Sequence, residues 1–286
     1  MITCFTYWNN GITSMPPMIK YIYDHNNKKS KYYNFNLILL TDDNIQNYIK
    51  LPSRFWDLDF EFKSEIIRFF ILDLYGGIWL NPDVIIIKDL NILYNKFIHS
   101  RKQVMLDIEF HDRIGCSSIL MLPNSKCSRY CINYINNILD TVKNILWDDI
   151  GHNTVTSLYE TYPNLILLND YEKVKKGTNI ICWNQKPGFF KNEWLKNSFD
   201  EAQEVSNNII YNPDCYYVIT WNMYNVNDIN DINSIFVNKH SIFYYLTNIV
   251  DKKKVNNFYN KILYIIIFIF IVFYLYYIFI YNKKLN

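Results

Sequence analysis

Paired cysteine motifs, an N-glycosylation sequence, a basic arm and a leader-like N-terminus are all missing from this chain of 286 residues. The six cysteines are Cys4, Cys116, Cys127, Cys131, Cys182 and Cys215, and none form a Cys-x-x-Cys pair. Cys127 and Cys131 stand four apart, but no matching His or Cys pair follows, which argues against zinc and for reduced, partly buried thiols. Asn is abundant, yet Asn-x-Ser/Thr occurs nowhere, in keeping with a domain that stays in the cytosol. Lys and Arg total 29 against 27 acidic residues, a net charge of +2 with no long cationic arm. A nucleic-acid partner therefore lacks electrostatic support. The segment Met1–Trp8 has neither a basic region nor a long apolar stretch, so it is expected to be a buried strand and no secretory signal. No internal repeat is present.

Half of the residues are apolar and 20% are charged, enough to build a sizeable core. The wealth of Asn, Ile, Tyr and Lys reads as the stamp of an AT-rich genome, such as that of a large DNA virus or an AT-rich protist. From Leu263 to Tyr281 every residue is apolar or Tyr. As a helix this stretch measures roughly 28 Å, close to the hydrocarbon thickness of a bilayer. Its tyrosines cluster toward both ends, and Lys252, Lys253 and Lys254 precede it while Lys283 and Lys284 follow. The expectation is a single membrane span acting as a tail anchor, with the preceding domain in the cytosol. The closing Lys283-Lys284-Leu285-Asn286 resembles a dilysine signal, which conflicts with that topology and is treated as chance. The resulting divisions are a domain over 1–250, a basic linker over 251–262, a span over 263–281 and a short basic tail over 282–286.

Hydrophobic patterning predicts a strand over Ile2–Trp8 and a helix from Pro16-Pro17 to about Asp24. A polar loop is expected over 26–31, a strand over 35–40 and a short helix from Asp42-Asp43 to about Ile49. A long apolar helix over about 61–74 stops at Gly76-Gly77. Strands are expected over 78–80, 84–87, 104–110 and 118–122, and a helix over 128–147. Strands alternating with helices in the first half indicate a mostly parallel sheet covered on both faces.

The stretch from Lys63 to Val84 carries the chemistry. Glu65 and Arg68 stand three apart on one face of a helix that is otherwise apolar. Such a pair either forms a surface ion pair or lines a polar cleft. The double glycine turns the chain into a strand, and the turn Asn81-Pro82-Asp83 then presents a carboxylate beyond the strand's end, where ligands of open α/β sheets lie. Turn capping by Asp83 is the plainer alternative. Asp57 and Asp59 also form an Asp-x-Asp, but they precede the helix and are expected to cap it.

Taken together, Ser64, Glu65, Arg68, Gly76, Gly77, Trp79 and Asp83 resemble, at matching spacing, the DXD-containing glycosyltransferase family of the sugar-binding-region type. Phe5-Thr6-Tyr7-Trp8 and Met15-Pro16-Pro17 look like that family's first strand and first helix. The resemblance covers roughly residues 1–125, and Gly151–Thr156 and Tyr217–Asn222 correspond loosely to later family blocks. It implies a GT-A-type nucleotide-diphospho-sugar transferase fold, Rossmann-like. The activity it implies is retaining transfer of a hexose from a UDP- or GDP-sugar to a hydroxyl of a glycan, lipid or protein acceptor. Trp8 would stack on the base, Glu65 would accept from ribose hydroxyls, and Arg68 would lie along the nucleotide or sugar. Trp221 would join the donor site. Asp83, the catalytic carboxylate, would bind Mn²⁺ or Mg²⁺ with Asn81 assisting, because hard cations favour oxygen ligands.

Departures from the pattern matter. Glu65 stands for the usual Asp, Asn81 for the first Asp of the DXD, and Ile219 where a His often precedes the later Trp. The loss at Asn81 motivates an alternative, a catalytically impaired membrane-anchored relative that binds or scaffolds. A structural membrane protein whose soluble part merely packs aromatics is the remaining alternative.

Overall fold

The computed structural model describes residues 1–108, 113–169, 215–219 and 246–247. The chain divides into two units, 1–247 and 248–286, and the second lies outside the described residues. So does the stretch Leu263–Tyr281. Among the described residues no helix is long and apolar enough to cross a membrane.

The elements in order are β1 (Thr3–Tyr7), α1 (Pro17–Tyr33), β2 (Asn36–Leu40), α2 (Phe60–Tyr75), β3 (Gly77–Leu80), β4 (Val84–Ile86) and α3 (Leu90–His99). Then come β5 (Val104–Ile108), β6 (Ile114–Met121), α4 (Lys126–Thr141), α5 (Trp147–Thr161), β7 (Ile166–Asn169) and β8 (Tyr217–Ile219). Six strands form one sheet in the order β2-β1-β3-β6-β5-β7. β6 runs antiparallel to β3 and β5, and the other pairings are parallel. The fold is thus mixed α/β with a mostly parallel central sheet. β4 pairs antiparallel with β8 as a separate ribbon, Val84 opposite Ile219.

Alternation along the strands splits the core into two layers. Phe5, Tyr7, Trp79, Leu106 and Ile119 face one layer, with the buried sides of α2, α4 and α5. Cys4, Ile78, Leu80, Met105 and Leu120 face the other, with α3 and the β4–β8 ribbon. The turn between α2 and β3 requires its glycines. Gly76 has φ 62° and Gly77 φ 96°. A Cβ on Gly77 would lie 2.4 Å from the Thr3 carbonyl oxygen.

Several elements differ from the sequence-based expectation, among them β6, which begins at Ile114 and not at 118. The residues expected as a polar loop over 26–31 continue α1 to Tyr33, and Asn34 closes it at φ 58°. His25, Asn26 and Ser30 are buried on that helix. Asn26 Nδ2 donates to the Val84 carbonyl at 2.7 Å, and its Oδ1 accepts from Ile86 N–H at 2.9 Å. The side chain thus serves β4 as a neighbouring strand would, which hydropathy alone does not reveal. The His25 ring nitrogens lie 2.9 Å from the Ile86 carbonyl and 3.1 Å from the Thr247 carbonyl.

Second, the helix expected from Asp42 to Ile49 is a single 3₁₀ turn over Ile45–Asn47. Asp42 instead accepts from the Tyr7 hydroxyl and pairs with Lys63 at 3.0 Å. Third, the helix expected over 128–147 is two helices. α4 ends at Thr141, and α5 begins at Trp147. α3 fills a stretch given no assignment from sequence, capped by Asp89, which accepts from Asn91 N–H at 2.9 Å.

Candidate functional site

In a strand–helix–strand unit the helix before a strand starts at the sheet edge where parallel strands end. β1 and β3 end directly before Trp8 and Asn81, and the N-terminal half of α2 lies beside that same carboxyl edge. β6 is antiparallel, so its first residues, Ile114 to Cys116, also lie there. Most of the residues singled out from sequence therefore come to one edge through topology.

Trp8 follows β1 directly and is half-buried. Its ring packs against Phe60, the first residue of α2, at a centroid distance of 5.0 Å and an interplanar angle of 59°. Its Nε1–H donates to Ser14 Oγ at 3.1 Å. The indole is oriented by these two contacts without being sealed in the core.

Glu65 and Arg68 are both buried on α2, at 7% and 3% exposure. Burying charge is costly. It is offset by Ile66, Ile67, Phe69, Ile71 and Leu72 on the same helix, all fully buried and each stabilising by about 1.5–3 kcal/mol. Each charge also has partners. Glu65 Oε2 accepts from Gly151 N–H on α5 at 2.7 Å. Burial pushes the Glu65 carboxyl above its ordinary value, against the pull of the Arg68 guanidinium and the Gly151 N–H. Arg68 donates to the Cys116 carbonyl on β6 and to the Ser64 carbonyl. Its guanidinium lies 5.5 Å from the Trp79 ring centroid, in cation–π contact. The surface ion pair considered from sequence is thus not what forms, because both side chains turn inward to α5 and β6.

Asn81 is half-buried, and its Oδ1 accepts from Trp79 Nε1 at 2.9 Å. Its backbone N–H donates to the Ser117 carbonyl at 2.8 Å, and its carbonyl accepts from Val84 N–H at 3.1 Å. Asp83 is half-buried in the turn that follows, directly before β4. Trp79 thus bridges Arg68 and Asn81, and links the α2 pair to the Asn81–Asp83 turn. Trp221 lies outside the described residues. Asp59 occupies the N-cap position of α2 without a side-chain cap bond, while Asp57 ends the preceding 3₁₀ turn.

Several residues at this edge were not singled out from sequence. His152 on α5 is half-buried, and its Nδ1 lies 3.0 Å from the Ile114 carbonyl. Burial and then the charge of Arg113 hold its imidazole below the ordinary value. Arg113 pairs with Asp148 at the start of α5. Asp107, at the end of β5, is buried and accepts from the Tyr217 hydroxyl at 2.5 Å and from Asn169 Nδ2 at 2.9 Å. Burial raises its carboxyl, opposed by those donors. A lone charge inside the apolar run Val104–Ile108 was the available signal.

For a divalent cation the fit is modest. Among the described residues no three His, Cys, Asp or Glu side chains gather as a metal site. The turn brings one carboxylate, Asp83, and one amide oxygen, Asn81 Oδ1, of which one lone pair is engaged by Trp79. Such a pair suits a cation whose remaining ligands are phosphate oxygens and water.

Residues 2–112, under half of the chain, match a family model described as capsular polysaccharide synthesis protein. No curated protein matches the chain in sequence. Similar solved structures include the apo-form glycosyltransferase GlyE of Streptococcus pneumoniae TIGR4, 12% identical with a TM-score of 0.42, over 91% of this chain and 63% of that one. This chain therefore spans less than two thirds of GlyE's length. Another is the PaToxG glycosyltransferase, 14% identical with a TM-score of 0.32, over 86% of each chain.

Proposed function

We propose that this chain is a glycosyltransferase that moves a hexose from a UDP- or GDP-sugar to an acceptor hydroxyl, held at a membrane by residues 263–281. The observation that carries the reading is the chain of contacts Arg68–Trp79–Asn81 at the carboxyl edge, the edge to which topology also brings Trp8 and Glu65. A match to a model for capsular polysaccharide synthesis supports glycan chemistry at the same end of the chain.

In this reading the Trp8 ring stacks on the base, and Glu65 accepts ribose hydroxyls with lone pairs that Gly151 does not use. Arg68, beside the Trp79 ring, presents positive charge to the donor. Asp83, with Asn81 assisting, would hold Mn²⁺ or Mg²⁺, which would neutralise charge on the departing diphosphate. Retention at the anomeric carbon belongs to the family resemblance and is part of the proposal.

A second reading has a specific observation in its favour. Asn81 lacks the charge of a carboxylate and gives its amide oxygen to Trp79. A chain of the same fold that binds a nucleotide sugar without transferring it accommodates that arrangement. One experiment separates the two: Mn²⁺-dependent hydrolysis of UDP- and GDP-sugars by the intact chain and by Asp83→Ala. Turnover lost in Asp83→Ala supports transfer. Nucleotide binding without turnover supports the impaired relative, and turnover unchanged by the substitution removes Asp83 from the mechanism.

A further inference from the structure

The two helical layers of the protein carry opposite charge. α1 and α3 together hold five lysines and one aspartate. α2, α4 and α5 hold four Lys or Arg against seven carboxylates. α1 and α3 are neighbours, since Asn91 Nδ2 donates to the Tyr33 carbonyl at 2.9 Å. Lys28, Lys31 and Lys96 are exposed on them. Large apolar groups are exposed among these cations, Ile92 at 51%, Ile98 at 42% and Tyr32 at 36%. Solvated charge alone explains the lysines but not the interleaved Ile and Tyr side chains. Cations and exposed apolar and Tyr side chains on the same pair of helices match the headgroup region of an anionic bilayer.

A second observation falls on the same layer. Thr247, the last described residue, rests on α1. Its hydroxyl lies 3.2 Å from the Tyr21 hydroxyl, and its carbonyl 3.1 Å from His25 Nδ1. Residue 247 thus lies on the basic layer, and Lys252–Lys254 and the apolar stretch from Leu263 follow it in sequence.

We propose that the α1–α3 face is a docking surface for an anionic lipid bilayer, a second membrane contact beside the apolar stretch. The face rests on its own residues; only its being a second contact rests on reading residues 263–281 as a span, and neither depends on the transferase reading. Beside a span that already fixes the chain to the bilayer, such an electrostatic contact sets how the domain lies on the surface, and it fades with salt. α1 begins beside the carboxyl edge and ends at the opposite edge, so a bilayer contacting it runs along the helical layer and does not cap that edge.

The test uses the full chain with Cys182→Ser, in nanodiscs of phosphatidylcholine alone or mixed with phosphatidylglycerol and doped with a lipid-borne quencher. The other five cysteines are buried. A fluorophore is placed at Ile92→Cys or, on the acidic layer, at Leu146→Cys. Quenching several-fold stronger at 92 than at 146, confined to anionic discs and lost in high salt or in Lys28→Glu/Lys31→Glu/Lys96→Glu, is expected. Equal quenching at both positions, or none at 92 in anionic discs, overturns the docking face. Where the chain stays out of discs the span reading fails, and the same labelled chains are mixed with anionic vesicles. Quenching at 92 there still supports the face, and its absence overturns it.

Discussion

Gly151 N–H donates to Glu65 Oε2 at 2.7 Å, and the contact leaves no room for a side chain. A Cβ on Gly151 would stand 2.2 Å from Glu65 Oε1. In an ordinary helix interior Gly→Ala stabilises by about 1 kcal/mol. Here the buried carboxylate must move, so Gly151→Ala is expected to destabilise by about 1–3 kcal/mol. Urea denaturation reads the sign directly.

Asn81→Asp keeps an oxygen facing Trp79 Nε1 and adds a charge two residues from Asp83. If that turn holds a divalent cation, Mn²⁺ binding in the presence of UDP or GDP tightens several-fold, as calorimetry would show. An unchanged affinity would mean that residue 81 serves the indole alone.

Asn26 completes the hydrogen bonding of β4. Asn26→Ala leaves the Val84 carbonyl and the Ile86 N–H unpaired in a buried setting, at a cost of about 2–4 kcal/mol. The half-buried neighbour Asn27 is a control, because Asn27→Ala is expected to change stability by only about 0.5 kcal/mol or less. Equal effects would show that Asn26 acts through helix propensity.

His25 links stability to pH. Burial pushes its imidazole down to about 4, against the flanking carbonyls, which favour a ring proton. An unfolded histidine titrates near 6.5, so the unfolded chain takes up the extra proton between these values. This group's contribution is complete above about pH 6.5 and is lost as pH falls to about 4, by roughly 3 kcal/mol at most. Urea midpoints at pH 7 and pH 4.5, compared with those of His25→Gln, isolate the effect. A variant with the same pH dependence as the parent would exclude His25 as its source.

The sequence was most legible where a local rule and the tertiary structure agree. The apolar run of α2, its stop at Gly76-Gly77 and the strand Gly77–Leu80 follow from periodicity and backbone permissiveness. So does the arrival of Trp8, Glu65, Arg68 and Asn81 at one sheet edge, because topology carries them there. Polar residues with buried duties were not legible. Asn26 looked like loop chemistry but is a hydrogen-bonding partner of β4. Asp42 looked like a helix cap but pairs with Tyr7 and Lys63. Val142 breaks what looked like one helix over 128–147, with no Pro or Gly to mark the end. The partners of Glu65 and Arg68, Gly151 and the Cys116 carbonyl, lie far away in sequence and offer no local signal.

The most direct test of the candidate site is titration of the intact chain with UDP and with GDP in the presence of Mn²⁺, alongside Trp8→Ala. Base–aromatic stacking is worth about 1–3 kcal/mol. Saturable binding of one nucleotide is expected, weakened about tenfold or more in Trp8→Ala. Failure of both nucleotides to bind, or equal affinity in the variant, would contradict it.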